Sequence, residues 1–407
     1  LPPVVEIGPG SPTGLVAGFD AAFPTRYRDA IFACDWTFGT MYAIHLQADG
    51  AGYRGTAEPF IYGAPLPLTD AVVGHDGALY FAIGGRGTRS GLYRARYVGD
   101  ESRSEPVATD PGSVAARQQR RALEAFHGVV SPDAVAAAWP LLSSEDRYLR
   151  HAARIAIESQ PLESWAENAV LEPDPQARIT ATVALARTGT EYHRAGALVG
   201  LLGLDVSTLT NGQLLGMLRG YALTFERLGP PTDLERAQVM AKIDPLLPSD
   251  DADVNTELIR VLTFLQSTSV ISKAMELIAN RAAPEPPPWR TLASRNQRYG
   301  GRINDMLRSP PPSREIQYAF MLRNLRAGWS LEQRRAYFTF LNEAAKASGG
   351  ASYAGYLTRM RDEALANCSD EERVALKEIT GEDFNPRPDF PITEPEGPGQ
   401  KWTVDTA

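Results

Sequence analysis

The sequence has few cysteines, few lysines and no long apolar run, and each shortage excludes a class of protein. Its 407 residues include two cysteines, Cys34 and Cys368, which are too few for a disulfide framework, a cysteine-rich zinc site or a Cys-x-x-Cys-His haem attachment. The longest strongly apolar run without a charge, residues 195–204, is much shorter than the ~20 residues that span a bilayer. We therefore expect no membrane-spanning helix.

An excess of positive charge is also missing. The chain has 41 Lys and Arg residues against 49 Asp and Glu residues, which gives a formal net charge of −8. Because nucleic-acid binding needs clustered Lys and Arg, we do not expect nucleic acid as a partner. Almost all the basic residues are arginines, which we interpret as a coding bias. Arginine-rich stretches such as 117–121 are interpreted as solvated helix faces.

The first 110 residues have the pattern of short β-strands. Runs of aromatic and β-branched residues are separated by clusters of Gly, Asp and Pro. The segment also repeats, since residues 30–32 align with 78–80 and residues 41–44 align with 92–95, at offsets of about 50 residues. About four strands in such a period are typical of propeller blades. Two blades alone leave sheet faces and edges uncovered, so we expect them to pack on the second half or on blades absent from this chain.

From about residue 111 the periodicity becomes helical. Residues 150–157 and 178–185 repeat with small residues at the positions where neighbouring helices must approach closely. This spacing predicts paired helices of a HEAT-like solenoid over 111–283. The predicted helices in its second half cover residues 212–228, 233–246, 254–265 and 269–280.

A second helical block is predicted over 284–381, after a run of prolines that breaks the array. Ser330 and Ser369 are each followed three residues later by Gln or Glu, the pattern of a capping box at a helix start. Apolar residues with helical spacing predict one buried face in this block. They are Tyr318, Met321, Leu322 and Leu325.

The proline-rich residues 382–407 are predicted to be a tail, either a linker or an extended strap. The predicted fold class is α+β and multidomain. A partial β-propeller of about two four-stranded blades over 1–110 is followed by the α-helical HEAT-like solenoid and the second helical block.

Motifs that carry catalysis are scarce. The chain has no nucleophile elbow, no Walker loop and no dinucleotide fingerprint. The glycine-rich residues 84–88 lie between two predicted strands without a following helix, so we interpret them as a tight turn rather than a phosphate site. The five histidines have no metal-binding spacing and are interpreted as structural.

Asp35, Trp36, Asp70 and Arg86 are the candidate cofactor-binding residues. They lie near predicted strand ends and turns, where propellers present side chains to a central channel. Trp36 can stack on a planar ring, and Arg86 can pair with a carboxylate. The alternative is that Trp36 packs between the blades and that the two aspartates accept hydrogen bonds from neighbouring backbone amides.

Three stretches, 35–46, 67–81 and 84–94, resemble the last blades of a large secreted bacterial family. Its members resemble membrane-bound or quinoprotein sugar dehydrogenases in the propeller, continue into HEAT-like helices and typically end in a haem-binding cytochrome c module. The likeness extends over nearly the whole chain. It continues in residues 139–141, 146–154, 328–330 and 335–338.

The resemblance implies a periplasmic or secreted protein close to sugar oxidation and electron transfer. In the full-length protein it implies PQQ and haem c as cofactors and a sugar or alcohol as substrate. The earlier blades and the cytochrome module are absent from this chain, so we expect no cofactor within it and no complete active site. Missing blades and a cytochrome c module or another envelope protein are the expected partners. The first residue is not Met, and we expect a leader or more of the protein to precede it.

A second hypothesis comes from a different class of protein. HEAT-like arrays bind partners more often than they catalyse reactions. In this hypothesis, the chain is a non-enzymatic interaction scaffold that holds a partner on its concave helical surface within a cell-envelope complex. The sequence leaves both hypotheses open.

Overall fold

The computed structural model describes residues 3–85, 87–99, 110–283, 288–295, 300–350 and 352–381. Within these ranges the chain is α+β, with two small antiparallel sheets followed by helices. This confirms the change of periodicity near residue 111. No described helix is long and apolar enough to cross a membrane.

The first sheet has four antiparallel strands in chain order, with a short helix, α1 (Thr25–Arg28), after the first of them. The strands are β1 (Pro12–Ala17), β2 (Ala30–Asp35), β3 (Thr40–Asp49) and β4 (Gly52–Tyr62).

The second sheet follows the same order but has three strands within the described residues, whereas the sequence predicts about four. They are β5 (Leu68–Val73), β6 (Leu79–Gly85) and β7 (Thr88–Ala95). The sequence repeat aligns β2 with β6 and β3 with β7, so the repeated segments occupy equivalent places in the two sheets.

The two sheets pack face to face because one face of each is apolar. Phe32 and Met41 of the first sheet are fully buried against Leu68 and Leu79 of the second, in one hydrophobic cluster. The first strands of the two sheets, β1 and β5, lie side by side. Alternation along each strand therefore determines which face enters the shared core.

The other face of the first sheet is covered by the N-terminal segment. Val5 and Ile7 pack against Tyr42 and Ile44 of β3. The backbone N–H of Gly55 donates a hydrogen bond to the carbonyl oxygen of Val4 at 2.9 Å. The first sheet is thus covered on both faces.

One set of the described helices forms a row in which each helix packs on the next. Its members are α2 (Pro111–Glu124), α4 (Arg147–Glu158), α6 (Pro175–Thr188), α8 (Asn211–Arg227), α10 (Ala252–Phe264) and α13 (Ser313–Leu322). The row thus contains every second helix from α2 to α10, together with α13.

Of the other α-helices described after residue 110, the first six lie between these in sequence and the last three follow α13, and most of them pack against that row. They are α3 (Ala134–Ala138), α5 (Ala166–Leu171), α7 (Arg194–Leu202), α9 (Asp233–Ile243), α11 (Ser269–Ala279), α12 (Gly300–Arg308), α14 (Leu331–Ala345), α15 (Tyr353–Ala366) and α16 (Asp370–Thr380).

The helix positions predicted from periodicity agree with the structure to within three residues at each end. Both predicted capping boxes are present. The side chains of Ser330 and Ser369 accept hydrogen bonds from the backbone N–H groups of Gln333 and Glu372, and the side chains of Gln333 and Glu372 accept from the backbone N–H groups of the two serines. All four residues of the predicted buried face, Tyr318, Met321, Leu322 and Leu325, are buried.

Helices from distant parts of the chain hold the first sheet. Asp146, the N-cap of α4, accepts a hydrogen bond from the backbone N–H of Ala51 at 2.6 Å. In the 3-10 helix Pro288–Arg295, the guanidinium of Arg295 donates to the hydroxyl of Thr40 at 3.0 Å and lies over the ring of Tyr62. The sheet therefore contacts the beginning of the helical array and a segment that follows α11.

Candidate functional site

Asp35 ends β2 and holds the turn into β3. Its side chain is buried, and one carboxylate oxygen accepts hydrogen bonds from the backbone N–H groups of Ser11 at 2.8 Å and Thr37 at 3.1 Å. The other oxygen accepts from the N–H of Phe38 at 3.0 Å. Three N–H donors use much of the acceptor capacity of this carboxylate, so its place in the structure matches the alternative predicted from sequence.

Trp36 links the two sheets. Its indole Nε1–H donates a hydrogen bond to the carbonyl oxygen of Gly84 in β6 at 2.8 Å. A Cβ atom at Gly85, where φ is +102°, would lie 3.5 Å from Nε1, which is ordinary contact distance. The half-buried ring therefore lies against the β6–β7 turn.

Asp70 lies in β5, next to β1. Its carboxylate is exposed and accepts a hydrogen bond from the backbone N–H of Ala71 at 2.9 Å. A Cβ atom at Gly14 of β1 would lie 2.6 Å from the Asp70 carboxylate, so this close approach requires glycine. Burial, and to a smaller extent the negative charge of Asp70, raise the pKa of the Cys34 thiol to about 11.

The structure brings three of the four sequence-predicted residues to one region, where the first part of β1 meets both sheets. Asp35 lies against Gly10 and Asp70 against Gly14, while Trp36 spans the gap to β6. Arg86 lies outside the described residues.

A cavity of about 540 Å³ lies beside Trp36, between the first sheet and α12. Its walls include Phe38 on the sheet side and Ile303 and Met306 on the helix side. The hydroxyl groups in these walls already have partners: that of Thr37 donates to the Ser11 hydroxyl at 2.8 Å, and that of Thr13 to a backbone carbonyl. None of the lining side chains that the structure describes is titratable, and the apolar surfaces of Trp36, Ile303 and Met306 suit an apolar ring.

The described lining of this cavity does not match PQQ, one of the cofactors that the family resemblance implies. PQQ carries three carboxylates, and the lining residues that the structure describes include no cation to pair with them. The chain also has no Cys-x-x-Cys-His for covalent haem attachment. Among the described residues, no group of three or more His, Cys, Asp or Glu side chains is placed to hold a metal ion.

A second concave site was not predicted from sequence. A groove of about 570 Å³ lies among the C-terminal ends of α10 and α13 and the residue after α15, Asn367. Its lining includes Arg260, Phe264 and Arg326. Phe264 is 52% exposed, although it lies in a helix that is buried over most of its surface. From sequence alone, Phe264 looks like a core residue of a predicted helix. No sequence signal therefore pointed to this groove.

Comparisons with protein-family models, with curated proteins and with solved structures found no significant match. The geometry and the sequence motifs are therefore the only grounds for a functional conclusion.

Proposed function

We propose that this chain is the propeller and HEAT portion of a periplasmic sugar- or alcohol-dehydrogenase-like protein linked to cytochrome c electron transfer. The observation that carries this proposal is the topology of the sheets. In each sheet the strands follow chain order and alternate in direction, and the two sheets pack face to face with β1 beside β5. Neighbouring blades of a propeller are arranged in this way.

The chain is proposed to be inactive on its own. Asp35 and Trp36 use their polar atoms to hold a turn and to join the sheets, and the described residues that line the cavity beside Trp36 include no cationic side chain. These observations favour a PQQ site and a haem c site in other parts of the full-length protein. The parts that would supply them, further blades and a cytochrome c module, are then the partners of this chain.

Dye-linked turnover tests the proposal. The chain alone and the full-length product of its gene are each supplied with PQQ, Ca²⁺ and a panel of sugars and alcohols. We expect turnover from the full-length protein only. A coding region without further blades upstream and without a Cys-x-x-Cys-His downstream would overturn the proposal. In the full-length protein, unchanged turnover in Asp35→Ala and Arg86→Ala would remove these two residues from the candidate site.

A second candidate function is a non-enzymatic scaffold that binds a partner protein on its helices. The groove among α10, α13 and α15 favours it, because exposed aromatic and arginine side chains meet there in a cavity of about 570 Å³. These residue types are enriched at the centres of protein interfaces. Isothermal titration of the chain with the separately purified cytochrome c module tests whether its helices bind a partner protein, and turnover by the full-length protein would contradict the non-enzymatic function.

A further inference from the structure

Hydrogen bonds of Gln266 fix the backbone that lines the groove among α10, α13 and α15. Gln266 follows α10 with φ at +59°, a backbone conformation that is rare for a residue with a side chain. Its amide donates hydrogen bonds to the carbonyl oxygens of Thr263 at 3.0 Å and Asn324 at 3.1 Å and accepts one from the N–H of Arg326 at 3.3 Å. These bonds tie the end of α10 to the end of α13, and strained residues held in this way are frequent at binding sites.

Two arginines give this groove a local positive charge. Arg260 is exposed, and its ion pair is with Glu257 of its own helix at 3.2 Å. Arg326 is exposed and has no ion pair within the described part of the chain. The third arginine nearby, Arg323, does not line the cavity: it is paired with Glu363 and lies over the ring of Phe320. In a chain with a net charge of −8, two such guanidinium groups in one cavity favour a carboxylate ligand.

An exposed aromatic ring extends the groove on one side. Phe264 packs on the buried ring of Phe225, with ring centroids 5.7 Å apart. On the other wall the half-buried Phe320 stacks on Tyr356, which is 41% exposed, at 5.6 Å. The aromatic surface therefore continues past the cavity towards Tyr356, which suits an extended chain with several side chains better than a compact anion.

A buried hydroxyl in the groove wall has no partner. Thr263 is 3% exposed, and its hydroxyl oxygen makes no hydrogen bond within the described residues. The buried hydroxyl of Thr224 in α8 is in the same state, whereas the hydroxyls of Thr180, Thr256 and Thr358 each donate to the carbonyl oxygen four residues earlier, at 2.8 to 3.0 Å. A buried polar group without a partner is costly, and Thr263 differs from Thr224 in that it lines the groove.

We propose that this groove binds an acidic peptide segment of a partner protein, with carboxylates on Arg260 and Arg326 and an apolar side chain between Phe264 and Phe320. The inference rests on the second proposed function, the scaffold, and names the chemistry of its partner. Charge complementarity selects the acidic residues, and the exposed ring of Phe264 with the half-buried ring of Phe320 selects the apolar one.

Fluorescence anisotropy tests the proposal with the whole chain and a labelled synthetic peptide of alternating Asp and Phe. We expect saturable binding that weakens with added salt, and binding at least about 10-fold weaker for the matched Asn and Phe peptide. Arg260→Glu and Arg326→Glu should each weaken binding about 10-fold or more, and Thr263→Val by a few fold. Arg147→Glu, at an exposed arginine in the first turn of α4, is the matched control and should leave binding unchanged.

The possible outcomes distinguish failure of the groove site from failure of the scaffold function. Binding that all three groove variants leave unchanged would overturn the groove site but not the scaffold function. Equal affinity for the acidic and the neutral peptide would overturn the proposed partner chemistry. No binding of either peptide would overturn the groove proposal, while titration with the cytochrome c module remains the separate test of the scaffold. Far-ultraviolet circular dichroism and the melting temperature of each variant distinguish lost binding from lost folding.

Discussion

The two sheets come from one sequence repeat, yet their surroundings differ. The first sheet is covered by the N-terminal segment on one face and by the second sheet on the other. The second sheet buries its inner face, but Val72 and Leu92 on its outer face are 59% and 75% exposed. The comparison teaches that alternation along a strand predicts which residues can be buried, whereas the neighbouring segments determine which residues are buried.

The largest expected effect comes from the core between the sheets. Phe32 of β2 is fully buried, and its ring lies 4.8 Å from that of Phe60. Phe32→Ala should lower the free energy of unfolding by about 3–5 kcal/mol, because it removes a buried ring and leaves a cavity. Urea unfolding followed by tryptophan fluorescence measures this change.

Leu92→Ala, on the exposed face of the second sheet, is the matched control. We expect a change within about 0.5 kcal/mol, as for other exposed positions. A cost for Leu92→Ala similar to that of Phe32→Ala would show that the outer face of the second sheet is covered in solution, and the contrast between the two sheets would then be wrong.

The second prediction contrasts the two candidate aspartates. Asp35→Ala should cost about 2–3 kcal/mol, because three backbone N–H groups lose a charged acceptor in a buried turn. Asp70→Ala should cost about 0.5 kcal/mol or less, since the carboxylate of Asp70 is exposed and bonds to the neighbouring N–H. Differential scanning calorimetry of both variants checks the order, and equal costs would contradict the structural role of Asp35.

The third prediction compares the two contacts between the helices and the first sheet. The Asp146 carboxylate caps α4 and also accepts from Ala51 of the β3–β4 turn, so Asp146→Ala should cost about 1–2 kcal/mol. Arg295→Ala removes a hydrogen bond to Thr40 and a contact with the Tyr62 ring, for about 0.5–1 kcal/mol. Thermal unfolding of the two variants measures the difference. A larger cost for Arg295→Ala would reverse the relative importance of the two contacts.

Much of this fold could be predicted from sequence because its signals are local. Helical periodicity and capping boxes, such as that at Ser330, depend on residues a few positions apart. The contact between Arg295 and Thr40 joins residues 255 positions apart. It depends on how the packing angles of many successive helices add up, and no short sequence pattern encodes that sum.

The candidate site was predictable only in part for the same reason. The role of Asp35 in holding a turn follows from its position between a strand and Thr37-Phe38-Gly39, so the sequence already contained this alternative. The groove residue Gln266 gave no such signal. Its left-handed backbone is stabilised by bonds to Asn324 and Arg326, which are about 60 residues away.

The smallest expected effect concerns the two cysteines, one in each part of the molecule. Cys34 is fully buried between the sheets, and burial together with the charge of Asp70 raises its pKa to about 11 from an ordinary value of 9.0. Burial also raises the pKa of Cys368, which follows α15. Both thiols should therefore react slowly with a disulfide reagent at neutral pH and quickly once the chain unfolds.

The raised pKa of Cys34 also gives the direction of a pH dependence. A folded-state pKa above the unfolded value means that the native state holds the proton more tightly. The stability it contributes is complete below pH 9 and is lost as the pH rises towards about 11. Asp70→Asn should lower the pKa of Cys34 slightly, because burial is the larger cause and remains. Titration of the thiolate absorbance in Cys368→Ser isolates Cys34, and an unperturbed pKa there would show that the interface between the sheets admits water.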